Sequence, residues 1–237
     1  MKTKTVFVFV VLFQIICCLS ASAQKSDTTI LEVNKTEDFT LSGDGTAMNW
    51  RNEKWVVLPK RDNTGPPYET KMKILYSDSG IYCLYQCEDL ALTSTFKKDF
   101  SDLYDEDVVE AFFWPDESLP VYFEYELSPY NYELPLMVPN INGNFMGWLP
   151  NHYVGNRKTR HISSIIRLNN KLTGWTAEFF IPYTLMKPLV KSIPSKNTRW
   201  RANFYRIDYD YGDAGWSWQS VDTYFHDYQH FGELLFK

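Results

Sequence analysis

The chain has 237 residues, with 24 lysines and arginines against 29 aspartates and glutamates and a formal net charge of −5. An acidic balance of this kind excludes nucleic acid as an expected partner, because the protein would repel the phosphate backbone. Aromatic residues make up 17% of the chain. Tyr and Trp combine a flat apolar face with a polar edge, so this share indicates a use beyond packing.

The first 23 residues have the pattern of a secretory signal peptide. Lys2 and Lys4 precede an apolar run that closes on small residues up to Ala23, where cleavage is expected. The run is too short for a comfortable membrane span, so we predict a secreted or periplasmic protein. Cys17 and Cys18 raise a lipid anchor as the alternative, which the bulky or polar residues before them disfavour.

Residues 24–237 are predicted to form one domain. Without Lys2 and Lys4, 22 basic and 29 acidic residues give this part a formal charge of −7. All-β domains of about 200 to 250 residues commonly form a single unit. We expect a monomer that has no membrane span once the signal peptide is cleaved.

The first predicted hairpin lies near residue 80. Strands at 71–75 and 81–86 flank a Ser-Asp-Ser-Gly turn. Cys83 and Cys87 fall on one face of the second strand, about 13 Å apart, which is too far for a disulfide. No second Cys or His pair has a spacing that supports a metal site. We therefore predict two buried free thiols.

The stretch 104–129 predicts a second hairpin with acids in unusual places. Two runs rich in β-branched and aromatic residues flank a Pro-Asp-Glu-Ser-Leu-Pro break. Glu110 has apolar neighbours on a strand that reads as covered on both faces. Burying an unpaired carboxylate costs several kcal/mol, so Glu110 needs a cation, a set of donors or a polar ligand. In the second run, Glu124 and Glu126 share a face with Tyr122.

The remainder of the chain is also read as strands and loops. Residues 130–160 form a long Pro- and Asn-punctuated connection, which is typical of a functional surface loop. The expected elements after it are strands at 162–168, 175–181, 199–209 and 231–236, with one helical turn at 182–189. Many short strands and almost no amphipathic helix predict an all-β, single-domain β-sandwich.

These segments, in this order, resemble carbohydrate-binding module family 9. The similarity covers nearly the whole of residues 24–237. It rests on Trp50 and Trp55 after a Gly-Asp-Gly turn, Tyr104-x-x-Asp-Val-Val-Glu110, Tyr122-Phe-Glu-Tyr-Glu126, Gly174-Trp-Thr-Ala-Glu-Phe-Phe-Ile-Pro182, Trp200-Arg-Ala-Asn203 and Phe231-Gly-Glu-Leu. The family was first recognised beside xylanases and includes secreted stand-alone relatives. The resemblance implies a jelly-roll β-sandwich, a place in polysaccharide catabolism, and a sugar held between two aromatic rings while acids, amides and Arg hydrogen-bond its hydroxyls.

The resemblance also implies particular ligand-binding residues. They are Tyr104, Glu110, Trp216 and Trp218, to which we add Glu124 and Asn203 as our own candidates for further hydroxyl contacts. Tyr104 and Trp218 would be the two rings, with Trp216 as the alternative second ring, and Glu110 would bind sugar hydroxyls. The family usually has Trp where this chain has Tyr104, which still presents a π face.

Family members hold calcium, so the resemblance raises one cofactor. Asp105 and Asp107 would supply hard oxygen ligands for a structural calcium ion, and a solvated turn is the alternative. No other cofactor is expected.

Simpler structural roles stand beside the ligand roles. Trp216 and Trp218 would belong to the core and rim of the sandwich, and Arg201 or Arg206 would neutralise Glu110 internally. In the long loop, Trp148 with His152 and Tyr153 would form either a substrate-facing patch or local packing.

Three classes of function remain open, and we favour the first, a secreted non-catalytic domain that binds an oligo- or polysaccharide of plant or other origin. The second is a xylanase-like glycoside hydrolase that uses Glu110 with Glu124 or Glu126. The third is a haem-binding sandwich that uses residues such as Met137, Met146 or His152.

Overall fold

A computed structural model describes residues 29–142, 144–221 and 224–237. The predicted signal peptide and its cleavage site lie outside these residues. The strands are β1 Ile30–Lys35, β2 Val56–Val57, β3 Thr70–Tyr76, β4 Gly80–Glu88, β5 Val108–Trp114, β6 Val121–Leu127, β7 Glu133–Ile141, β8 Asn144–Phe145, β9 Leu149–Pro150, β10 Arg160–Leu168, β11 Lys171–Pro182, β12 Arg199–Asp208, β13 Ala214–Ser217 and β14 Gly232–Phe236. Short 3-10 helices span Met48–Trp50, Leu103–Asp105, Gly155–Arg157 and Tyr228–His230.

The strands form two sheets that share β1. The first sheet has the order β10-β11-β4-β3-β1, and the second has the order β1-β14-β12-β5-β6-β7. β1 pairs in parallel with β14 on one side and with β3 on the other, so it joins the two sheets. The predicted all-β sandwich is confirmed. Among the described residues, no helix has the length and hydropathy needed to cross a membrane.

The inner faces of the two sheets pack into the main core. The rings of Tyr125 in the second sheet and Phe179 in the first lie 4.7 Å apart, and the Tyr85 hydroxyl donates to the Glu110 carbonyl oxygen across the sandwich at 2.8 Å. Burying one such aromatic side chain contributes about 2 to 3 kcal/mol. Cys83 and Cys87 lie in this core as free, buried thiols, which confirms that prediction.

The outer face of the second sheet carries a separate apolar cluster. Because side chains alternate along a strand, Ala111 and Phe113 of β5 face the main core while Glu110 and Phe112 face outward. Residues that precede β14, such as His226 and Phe231, contact Phe112 on this outer face. The outer face is therefore buried as well. The acidic residues of β5 and β6 therefore lie between a sheet and its covering loops.

The predicted long loop at 130–160 is wrong for its first third, since β7 is a nine-residue strand. Pro135 and Pro139 conceal it in the sequence. Their carbonyl oxygens accept the backbone N–H groups of Asn151 and Met146, on the side away from β6. A missing proline N–H on that side removes no bond to β6. The expected helical turn at 182–189 is a series of turns.

Candidate functional site

A cavity of about 190 Å³ opens on the outer face of the second sheet. Its lining residues are Tyr104, Glu110, Glu124, Leu136, Trp148, Ile207, Phe225 and His226. Sheet residues form its floor, and the segments before β5, after β8 and before β14 form its walls. The structure thus brings Tyr104, Glu110 and Glu124 together, as three of the six predicted ligand-binding residues.

Aromatic rings form one wall of the cavity. Tyr104 meets Trp148 edge to face, with ring centroids 5.1 Å apart, and Trp148 stacks on Phe145 at 5.6 Å. Phe145 in turn stacks on His226 at 4.1 Å. Trp148 remains 38% exposed although it takes part in this array. The wall therefore presents a flat ring that a ligand can reach.

Two acids that line the cavity, Glu110 and Glu124, lie beside a third, Glu126, which is completely buried. Glu110 pairs directly with Glu126 across β5 and β6, and Glu124 lies two residues before Glu126 on the same face. Carboxylate oxygens of the three residues lie within 4.8 Å of one another. All three residues are at most 3% exposed. No N–H group or hydroxyl group among the described residues donates to either oxygen of Glu126 or to Oε2 of Glu124; the side chains of Glu124 and Glu126 interact with each other.

Burial sets the protonation of these groups. Loss of solvent, followed by the charge of Glu124, raises the pKa of Glu110 well above its usual range. The same loss of solvent raises the pKa of Glu126 strongly and the pKa of Glu124 to about 8. It lowers the pKa of His226 to about 4, so this imidazole is neutral at pH 7. His226 Nδ1 lies 3.8 Å from Glu124 Oε2 and supplies no positive charge there.

The two arginines considered as partners of Glu110 bind elsewhere. Arg206 points to the inner side of the sheet, where its Nη2 lies 3.0 Å from Asp89 Oδ2 and 2.5 Å from Asp208 Oδ2. Arg201 donates from Nε to the Phe231 carbonyl oxygen at 2.9 Å. Internal neutralisation of Glu110 by either arginine is therefore wrong.

Trp216 and Trp218 lie on the inner side of the sheet, in the main core. Trp216 Nε1 donates to the Tyr68 carbonyl oxygen at 3.0 Å, and Trp218 packs against Phe204 with ring centroids 5.7 Å apart. Residues two apart along an extended chain share a face, so neither tryptophan serves as an outward alternative to the other. The structure does not bring these two rings to the cavity.

Asn203 faces outward but is fully engaged within the protein. Its Nδ2 donates to the Tyr205 hydroxyl at 2.7 Å, and its Oδ1 accepts from the backbone N–H of Gln219 at 2.9 Å. Asn203 is completely buried and is not among the residues that line the cavity. It holds the segment after β13 against the sheet.

The two acids proposed for calcium have different surroundings. Asp107 is buried, and its two carboxylate oxygens accept the backbone N–H groups of Thr93 at 2.6 Å and Tyr209 at 2.8 Å. Asp105 is exposed. Asp89, Asp208 and Asp210 do come together, and Arg206 bridges two of them. Calcium at Asp105 and Asp107 stays a prediction.

The haem alternative has no common site in the described part of the chain. Met137 packs against the main core, Met146 is 56% exposed, and His152 lies on the ring of Phe100 with centroids 4.3 Å apart. These three side chains thus have separate surroundings.

Two ring residues of the cavity were missed by the sequence reasoning. Phe225 and His226 lie in a Tyr-Phe-His run before β14, and Phe145 stands behind Trp148. Adjacent aromatic residues in a loop indicate a ring surface, and this pattern was interpreted for Trp148 but not for Phe225 and His226. Nothing in the sequence spacing says which loop covers which strand.

The fold and this cavity define a β-sandwich whose outer sheet face carries a ring-and-carboxyl pocket. The family described as carbohydrate family 9 binding domain-like matches residues 42–237. The chain belongs to this family, which confirms the resemblance. No curated protein matches the chain significantly.

Solved structures share the fold at low sequence identity. A protein from Bacteroides uniformis, assigned provisionally to carbohydrate binding, has a TM-score of 0.67 and 17% identity, over 89% of this chain and 100% of that chain. A family 9 carbohydrate-binding module from Caldicellulosiruptor kristjanssonii in complex with cellotriose has a TM-score of 0.62 and 16% identity, over 88% and 94%. The same module type from that organism, in complex with glucose, has a TM-score of 0.59 and 16% identity, over 87% and 96%.

Proposed function

We propose that this chain is a secreted, non-catalytic carbohydrate-binding protein that holds a sugar in the cavity above β5 and β6. The observation that carries the proposal is the meeting of an accessible ring wall with a carboxyl floor in one cavity. A pyranose has apolar C–H faces and a rim of hydroxyls, and therefore needs a flat ring beside polar groups. Export rests on the signal-peptide pattern ending near Ala23.

Trp148 and Tyr104 would contact the sugar from the wall. Trp148 is the more accessible of the rings that line the cavity and would stack on a C–H face, a contact worth about 0.5 to 1.5 kcal/mol beyond the buried area. Tyr104 would contact the edge of the sugar. Glu110 and Glu124 would hydrogen-bond hydroxyls, each bond contributing about 0.5 to 1.5 kcal/mol when the carboxyl group is neutral and more when it is charged.

A neighbouring groove favours a ligand longer than one sugar unit. It has a volume of about 620 Å³ and shares Ile207 and Phe225 with the cavity. Tyr224 lies in its lining and is 42% exposed, and Ser220 adds a hydroxyl. Glucose and cellotriose, which occupy related modules, are therefore the first ligands to test, with one sugar in the cavity and further units along the groove.

Calorimetry against a panel of soluble glycans, which includes glucose and cellotriose, tests the proposal. Trp148→Ala and Glu110→Gln should each weaken binding about tenfold, which corresponds to about 1.4 kcal/mol. Trp55→Ala is the matched control, because Trp55 is 37% exposed, close to Trp148, and contacts Lys71 and Lys73 of the other sheet. Unchanged binding by a folded Trp148→Ala protein would place the sugar elsewhere.

A glycoside hydrolase is the second candidate, because Glu110 and Glu124 share the cavity and their carboxylate oxygens lie within 4.8 Å. Hydrolases of the two-carboxylate type place their acids about 5 to 10 Å apart, with one protonated and one ionised. Burial raises the pKa of both residues here, so no ionised nucleophile or base is provided, and binding without hydrolysis is favoured. Release of reducing ends that disappears in Glu110→Gln would reverse this choice.

A further inference from the structure

Two other buried acids in this protein, Glu178 and Glu133, have several donors each. Glu178 on the outer face of the first sheet accepts from Trp50 Nε1 at 2.8 Å and from the backbone N–H of Ser42 at 2.9 Å, among others. Glu133 accepts hydroxyl groups that include the Tyr125 hydroxyl at 2.7 Å. Burial alone would raise the pKa of Glu133, but these bonds, with His161 first, hold it below its usual range. The fold therefore satisfies a buried carboxylate where the carboxylate is structural.

The acidic cluster at the cavity is built differently. Glu126 is completely buried beneath Glu124, and no N–H or hydroxyl group among the described residues donates to its oxygens. Glu124 Oε2 also receives no such donor, although Glu124 lines the cavity. No lysine or arginine in the described part of the chain forms an ion pair with Glu110, Glu124 or Glu126. Buried acids that meet only one another cannot all be ionised without a large penalty, so a ligand that brings donors and positive charge would stabilise the cluster.

We propose that the sugar held by this cavity carries a positive charge, an amino sugar whose free ammonium group enters the cluster of Glu110, Glu124 and Glu126. This inference rests on the proposed sugar-binding function and names the class of sugar. It goes beyond hydroxyl recognition, because hydroxyl groups do not need three converging carboxyl groups.

The ammonium group matches the cluster in its number of donors, and its positive charge would favour ionisation of the acids it contacts. It offers three N–H donors and no acceptor, and three carboxyl groups converge within 4.8 Å. The ring wall adds to the match, because the faces of Trp and Tyr attract a cation within about 6 Å of the ring centroid. His226 is the basic side chain beside Glu124, and its neutral imidazole leaves the cationic place to the ligand.

Three matched ligands test the inference by calorimetry at pH 7. They are methyl glucoside, its 2-amino-2-deoxy analogue, which carries the ammonium group, and the N-acetylated form of that analogue, which does not. The wild-type protein should bind the ammonium sugar at least tenfold more tightly than the other two. Glu126→Gln should remove most of this preference, because Gln keeps the shape of the side chain but cannot ionise.

The outcomes separate this inference from the function it rests on. Equal affinity for the three ligands, or preference for a neutral one, overturns the inference and leaves sugar binding in place. Absence of binding by any sugar in this set and in the glycan panel overturns both. A titration with calcium chloride on the same protein covers the other cation: if calcium binds in wild type but not in Glu126→Gln and abolishes the ammonium preference, a metal ion is the occupant and the inference is wrong.

Discussion

Replacing Glu126 with Gln should change how stability depends on pH. Burial raises the pKa of Glu126 well above its ordinary value of 4.5. A carboxyl group with a raised pKa in the folded state contributes stability that is fully present below pH 4.5 and is lost as the pH rises towards the folded pKa. Wild-type stability should therefore fall from about pH 5 to pH 8, and the variant should fall less steeply.

The size of the effect follows from proton linkage. Each carboxyl group that stays protonated in the folded state but is ionised in the unfolded state lowers the free energy of unfolding by about 1.4 kcal/mol per pH unit. Glu126→Gln removes one such group, so its slope should be smaller by about this amount. The isosteric amide should have little effect near pH 5, where the acid it replaces is neutral. Urea unfolding at half-unit steps from pH 5 to 8 measures both slopes.

Comparing wild type with Glu126→Gln separates the contribution of Glu126 from those of other titrating groups. Burial raises the pKa of Asp107 to about 7 and that of Asp89 to about 8, but both residues are present in either protein and cancel in the difference. The lowered pKa of His226 acts in the opposite sense, since its contribution is present above pH 6.5 and is lost as the pH falls towards 4. The control variant Glu37→Gln, at an exposed position, should show the same dependence of stability on pH as wild type. Parallel slopes for wild type and Glu126→Gln would show that Glu126 is ionised in the folded protein.

Three further changes distinguish core residues from cavity residues. Trp218→Ala should lower the free energy of unfolding by about 3 to 5 kcal/mol, because the ring fills the core against Phe204. A loss below about 1 kcal/mol, measured by chemical denaturation, would contradict this prediction. Arg206→Met should cost about 3 to 5 kcal/mol, since it leaves buried Asp89 and Asp208 without their cation; an unchanged denaturation midpoint would refute that reasoning. Trp148→Ala should change stability by less than about 1 kcal/mol while it weakens sugar binding, and a large loss of melting temperature would instead make Trp148 a packing residue.

The sequence was sufficient to predict the buried acid and its hairpin. Glu110 stands between apolar residues in a run that is too hydrophobic for an exposed strand. The break after residue 114 required the second run to return antiparallel, which put Glu124 and Glu126 on one face. Only the register showed that Glu126 lies opposite Glu110. A register shifted by one residue would have moved the acids of β6 to the core side.

The second aromatic ring of the site could not be located from the sequence. Strand alternation shows which residues share a face, but it does not show whether that face points into the core or outward. Trp216 and Trp218 share a face with Arg206 of β12, and that face is the inner one. Trp148 and His226 come from loops, where no periodicity applies, and their stack depends on how residues far apart in sequence are folded over the sheet. Their distance along the chain, more than 70 residues, left no local signal.

The two faces of the second sheet show how stability and binding are divided in this fold. The inner face holds the aromatic main core, where the buried Arg206 is paired with two aspartates. The outer face keeps three converging acids, of which Glu126 receives no N–H or hydroxyl donor from the described residues, beside an accessible ring. Because the stable core can absorb a loss of several kcal/mol, a sheet of this kind retains such a floor without unfolding. The unfavourable groups are then available to a ligand, whose binding supplies the donors that the protein withholds.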